Sequence, residues 1–214
     1  MRTWLLLLCI VCCFEIGAQD SLARRPVVIP ALYFDYGKAL NSLFDGYQKT
    51  EGAIELVFDS RWQVIGELGH WNLEPSSAIE NGYYRVNGTY TKLGFGFIPR
   101  VKPDSRLGIG FRYAFASFVD RGNYTLAGGN TFNPAVTEEF KRRDLAASWY
   151  EFVFYSDKTI NRWITLGFLV RLRLMDTYDA FDPIDVNTIP GYGRAQDEIS
   201  PALNLFLKIP LLQD

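Results

Sequence analysis

His70 is the only histidine in 214 residues, so any imidazole chemistry in this chain rests on it. Glu74, Ser76 and Ser77 follow closely. A hydroxyl nucleophile, a histidine base and an orienting carboxylate are the parts of an acyl-transfer triad. Triad partners meet in space rather than along the chain, so nearness in sequence is weak support. A lone histidine between Gly69 and Trp71 reads first as a polar interfacial side chain.

The segment 175–196 offers a second chemistry. Asp176, Asp179, Asp182 and Asp185 surround Tyr178 and Phe181, and clustered carboxylates suit Ca²⁺ through oxygen ligands. Their spacing departs from the helix-bounded calcium loop, which leaves a solvated acidic loop as the reading, one able to meet divalent ions that bridge lipopolysaccharide. Zinc has no ligand set, because Cys9, Cys12 and Cys13 are the only cysteines and all precede residue 14. Gly94-Phe95-Gly96 and Gly108-Ile109-Gly110 are small strand residues, not phosphate loops. No catalytic residue, cofactor or metal ligand is assigned. With a formal net charge of -2 and no basic tail, nucleic acid is not an expected partner.

The cysteines belong to a leader. Arg2, the apolar run from Trp4 to Phe14 and then Ile16-Gly17-Ala18 fit a secretory signal peptide cut after Ala18. That run is about half of what a spanning helix needs, which argues against a retained anchor. No small residue precedes any of the cysteines, as lipid attachment requires. The expected division is 1–18 signal peptide, 19–26 periplasmic N-terminal segment and 27–214 outer-membrane β-barrel domain. Exported animal domains of this size usually carry disulfides. A mature region without cysteine therefore points to the envelope of a Gram-negative cell, with the outer membrane as the expected location.

Elements that could carry such residues are strands. Arg106 to Phe118 places Leu107, Ile109, Phe111, Tyr113 and Phe115 on one face and Arg106, Gly108, Gly110, Arg112, Ala114 and Ala116 on the other. Trp163 to Leu174 repeats the pattern, with Arg171 and Arg173 opposite Val170, Leu172 and Leu174. A period of two over such lengths means strand. Weaker alternation marks 27–38, 50–59, 61–72, 84–98, 145–156 and 197–209, for eight strands in all. The connections 60, 99–105 and 157–161 are short, whereas 39–49, 73–83, 119–144 and 175–196 are long. Short turns and long loops sorted by parity are the pattern of an outer-membrane meander with both termini on the periplasmic side.

Placing the large apolar residues outside turns Asp35, Glu55, Glu67 and Glu151 inward with Lys92, Arg112, Arg171, Arg173 and Lys208. An eight-stranded barrel has room inside only for side chains, and nearly balanced charges fit it because each ion finds a partner. A soluble barrel would reverse the faces and expose many Gly and Ala. The fold class expected is thus all-β, an eight-stranded antiparallel up-and-down transmembrane β-barrel with a filled lumen. Trp62 and Trp163 beside short turns, and Trp71, Tyr83, Tyr84 and Trp149 near long loops, suggest two aromatic girdles.

Asp35-Tyr36-Gly37-Lys38, Ser42-Leu43-Phe44-Asp45, Gly66-Glu67-Leu68-Gly69, Gly108 to Tyr113, Arg171-Leu172-Arg173, Ile189-Pro190-Gly191-Tyr192-Gly193 and Ile209-Pro210-Leu211 carry a resemblance. In this order they are similar to an uncharacterised family of small outer-membrane β-barrels of Bacteroidota. The resemblance implies a fold and a location and supplies no site. The expected function is a non-enzymatic structural or interaction subunit. Its expected partners are outer-membrane lipid and lipopolysaccharide, with other envelope proteins met through loops 119–144 and 175–196. A lipid-A-modifying enzyme centred on His70, or a narrow pore, is the alternative.

Overall fold

The computed structural model describes residues 28–38, 48–75, 78–79, 81–102, 104–126, 135–182 and 184–211. The expected leader, the segment 19–26, and Ser76 and Ser77 lie outside the described residues. The strands are β1 (Val28–Asp35), β2 (Gln48–Phe58), β3 (Trp62–Leu73), β4 (Gly82–Val101), β5 (Ser105–Leu126), β6 (Val136–Asn161), β7 (Ile164–Tyr178), β8 (Thr188–Ile189), β9 (Gly193–Arg194) and β10 (Ile199–Pro210). All except β8 and β9 close into one antiparallel barrel, in the order β1-β10-β7-β6-β5-β4-β3-β2. Closure is made by β1 on β10, with Leu32 opposite Ile209 and Asp35 opposite Phe206. Each of the eight expected segments is found as a strand.

The short connections gather at one end of the barrel and each has a local cause. Between β2 and β3, Asp59 and Ser60 both take positive φ, 50° and 58°, and Arg61 N–H donates to Phe58 O at 3.0 Å. That is the mirror-image turn whose twist matches paired strands. Between β6 and β7, Asn161 Oδ1 accepts from the backbone N–H of Trp163 and Ile164 at 2.8 and 2.9 Å. A polar side chain thus replaces backbone pairing at the bend.

The expected loop 119–144 is corrected. Residues 119–126 complete β5 and 136–144 open β6, paired from Asp120 opposite Arg142 up to Leu126 opposite Val136. Alternation of hydrophobicity lapses here, but Val119, Tyr124, Thr125, Val136, Thr137 and Phe140 keep strand propensity. Cross-strand pairs add to it: Tyr124 bonds Glu138, and the hydroxyls of Thr125 and Thr137 meet at 3.0 Å. Since β3 ends opposite Val86 and β7 ends opposite Ala147, β4, β5 and β6 rise above the rest of the rim as a three-stranded wall.

Side chains alternate as a closed sheet requires. The outer face carries Leu32, Phe34, Ile54, Leu68, Phe95, Ile109, Phe152, Val170, Leu172 and Leu205, with Leu93 and Leu203 as exposed as 72% and 68%. Buried apolar side chains collect at the two ends of the interior. Tyr33, Val57, Ile98, Tyr155 and Phe206 fill the short-turn end. Trp71, Tyr84, Tyr90, Phe118 and Trp149 fill the long-loop end. The parity that makes Glu67 and Glu151 inward also carries Trp71 and Trp149 inward. The upper girdle expected from Trp71, Tyr84 and Trp149 is therefore corrected, since all three are buried, while Tyr83, Trp62 and Trp163 face out.

Candidate functional site

The interior is the part of the molecule with organised chemistry. All nine side chains expected to point inward are buried: Asp35, Glu55, Glu67, Glu151, Lys92, Arg112, Arg171, Arg173 and Lys208. Glu51, Asp120 and Asp157 join them. Seven buried carboxylates thus meet five buried cations, and the partly buried Lys38, Arg106 and Arg142 raise the cations to eight.

Three carboxylates hold the middle. Arg171 from β7 reaches Glu51 on β2 at 2.8 Å, Glu67 on β3 at 2.8 Å and Glu151 on β6 at 3.1 Å. In the strand order β3 and β7 stand opposite each other, so the Arg171–Glu67 pair ties the barrel across its width. Lys92 on β4 touches the same three acids at 3.3, 3.4 and 3.1 Å. Arg112 adds a bond to Glu67, Lys38 one to Glu51 at 2.7 Å, and Arg173 Nε lies 3.6 Å from Glu151. Charges in so dry a place are tolerable only because every acid meets several cations.

Glu55 points inward as expected but does not belong to that layer. It lies nearer the short-turn end, bonded to Lys208, to Gln63 Nε2 at 2.7 Å and to Arg106 at 3.7 Å. Asp157 completes this second cluster through Arg106 at 2.5 Å and Lys208 at 3.9 Å. The central acid is instead Glu51. Glu51, Ala53 and Glu55 share one face of β2, so the inward setting of Glu55 already implied it.

The expected loop 175–196 is the second correction. Residues 175–178 extend β7, and the rest turns back into the mouth of the barrel. There β8 and β9 form a small hairpin, with Val186, Ile189 and Tyr192 fully buried. Tyr192 stacks edge-on against Trp149 at 5.7 Å. Its carbonyl accepts from Arg173 and from Ser200 Oγ at 3.2 Å, and its backbone N–H donates to Ile189 O at 3.1 Å. Gly191 has φ of +83°, and a Cβ there would sit 2.6 Å from the Tyr90 ring, so only glycine lets the hairpin seat. Tyr90 donates its hydroxyl to Glu51 at 2.5 Å, and Trp149 Nε1 donates to Glu151 at 2.9 Å. The plug therefore rests directly on the ionic layer.

The acidic residues of this loop are used singly. Asp176 accepts from Ser148 Oγ at 2.9 Å and Asp179 from Ala146 N–H at 2.8 Å. Asp185 accepts from Tyr178 Oη at 2.8 Å and Phe181 N–H at 3.1 Å. Asp182 is exposed.

His70 lies on the outer face of β3 between Thr50 and Thr89. Glu74 is paired with Arg85 at 3.1 Å. Ser76 and Ser77 are outside the described residues.

No curated protein and no solved structure matches the chain. A family model does match, over residues 31–212, a stretch that takes in the whole ionic layer and the plug. By that match the chain belongs to the family of the domain of unknown function DUF6048.

Proposed function

We propose that this chain is an integral outer-membrane β-barrel with a sealed lumen, acting as a structural or interaction subunit and not as an enzyme or a pore. One observation carries the reading: carboxylates and guanidiniums fill the interior while Leu, Ile, Val and Phe cover the outside. Water favours the reverse arrangement, and a continuous exposed apolar surface of this kind marks contact with lipid or protein. A closed barrel is the form in which strands satisfy their backbone groups in lipid. The short-turn end then faces the periplasm and the wall of β4, β5 and β6 faces outward. Lipid and lipopolysaccharide are the surrounding partners, and the raised wall is the surface offered to other envelope proteins. Of the segment 175–196, expected as a second contact loop, Val186, Ile189 and Tyr192 are packed inside.

Cell fractionation and planar bilayers test this together. The protein is expected in the outer-membrane fraction, to run with altered mobility on unboiled gels, and to give no steady current when pure. The lipid A mass spectrum is expected to be the same in cells carrying wild type and His70→Ala. Recovery in the soluble fraction, a stable ion-selective conductance, or a lipid A species lost with His70 would each reject the reading.

A further inference from the structure

The wall carries an arrangement of charge unlike the rest of the outer face. Arg85 on β4 stands directly opposite Arg121 on β5, and Arg121 stands directly opposite Lys141 on β6. Three cations therefore occupy one rung across three strands. Like charges facing each other across a ladder destabilise it, and Arg121 has one on either side. Arg85 is relieved by Glu74 at 3.1 Å and by Asn72. Among the described residues no ion pair to Arg121 or Lys141 is found.

The rung borders a recess of about 260 Å³ lined by Arg85, Asn87, Val119, Asp120, Arg121 and Lys141. The one carboxylate in that lining is already engaged: Asp120 Oδ1 accepts from Arg142 Nε at 2.8 Å and Oδ2 from Tyr84 at 3.0 Å. Glu139 is the next outward acid on β6, opposite Asn123. The recess thus presents two unneutralised cations and one shared with Glu74, with an amide and an apolar side chain beside them.

Height decides what such a recess meets. Outward residues on β5 run Leu107, Ile109, Phe111, Tyr113 and Phe115, then Ser117, Val119 and Arg121. With a rise of about 3.4 Å per residue and a tilt of about 40°, an apolar band about 25 Å tall that begins at Leu107 ends near Ser117. Arg121 lies roughly 10 Å above that edge, where a guanidinium reaching down enters the headgroup layer.

We propose that the Arg85–Arg121–Lys141 rung binds a phosphate group of an outer-leaflet glycolipid, the apolar face below it taking the acyl chains. Guanidinium and ammonium groups converging on one anion suit phosphate oxygens, and the phosphate relieves the repulsion along the rung. This rests on the membrane reading above and adds a defined lipid contact to it.

The test uses the mature protein in phosphatidylcholine vesicles doped with bisphosphorylated lipid A or with its dephosphorylated form, lipid retention being read by native mass spectrometry after detergent extraction. Wild type is expected to retain the phosphorylated form in preference. Arg121→Gln with Lys141→Gln is expected to weaken that retention roughly 30-fold, from about one surface-charge contribution per cation, while the gel mobility shift is unchanged. Equal retention of both lipid forms, or no loss in the double variant, would overturn the site and leave the membrane reading standing. Displacement of lipid A by inorganic phosphate alone would overturn the lipid as occupant. Failure of wild type to insert into any of these vesicles would instead overturn the reading beneath it.

Discussion

The two long segments 119–144 and 175–196 look alike in composition, both mixing Tyr, Phe, Asn and Asp, yet they do opposite things. The first rises from the rim as β5 and β6, with most of the described side chains from Arg121 to Lys141 at least partly exposed. The second folds down into the barrel and buries Val186, Ile189 and Tyr192. What separates them is the pairing available to their backbones. The first continues two paired strands past a register shift at Phe118/Asp120, so each residue from Asp120 to Leu126 gains a ladder partner on β6. The second leaves β7 at Tyr178 and rejoins at Ile199; its backbone polar groups must find partners locally, and Pro190-Gly191 lets it turn tightly enough to do so. Arg142 links the two, since it holds Asp120 on the wall and donates to Ile184 O of the plug at 2.8 Å.

If the plug and the ionic layer act as one body, the largest effect belongs to the layer. Arg171→Leu strands Glu51, Glu67 and Glu151 with one cation fewer in a dry site, and the expected loss is about 3–5 kcal/mol. Its outward neighbour gives the scale, because Leu172→Ala empties no cavity and is expected to cost about 1 kcal/mol or less. Urea unfolding in detergent, followed by Trp fluorescence, compares them. Equal losses would mean that the inside and outside faces are assigned the wrong way round.

The plug comes second. Tyr192→Ala removes a fully buried ring that stacks on Trp149, and large-to-small changes of this kind cost about 3 kcal/mol. The melting temperature read from the gel mobility shift is expected to fall. Bilayer current is expected to stay at zero, because the charges beneath still fill the lumen. A current that appears with Tyr192→Ala would show that the plug alone seals the barrel.

How far these features could be read from residues alone follows from the same contrast. A period of two is a local property, so eight strands, their faces and nine inward charges were readable from alternation. Glu51 was readable in principle from its parity with Glu55. The plug was not, because Val186, Ile189 and Tyr192 follow no strand period and their burial depends on a mouth formed by Trp71, Tyr90 and Trp149 from three distant strands. The same parity, carried to the strand ends, would have turned Trp71 and Trp149 inward; the girdle reading set their aromatic character above their position in the alternation. The cationic rung depends on register between β4, β5 and β6, which alternation within each strand does not set.

The smallest effect on stability belongs to the wall. Replacing 123–139 with a two-residue Asn-Gly turn keeps the Asp120–Arg142 pair and the Arg121–Lys141 rung. Among the described residues it removes exposed ladder, including the pairing of Gly82 and Tyr83 with β5 and the Tyr83 N–H bond to Asn123 Oδ1, and the Tyr124–Glu138 and Thr125–Thr137 contacts. Exposed hairpin ends tolerate such deletion, and the designed turn matches strand twist, so the expected change is about 1 kcal/mol or less. Proteins that copurify from detergent-solubilised outer membranes are expected to be lost. A cost as large as that of Tyr192→Ala would make the wall part of the folding core. An unchanged set of copurifying proteins would place the contact surface elsewhere on the barrel.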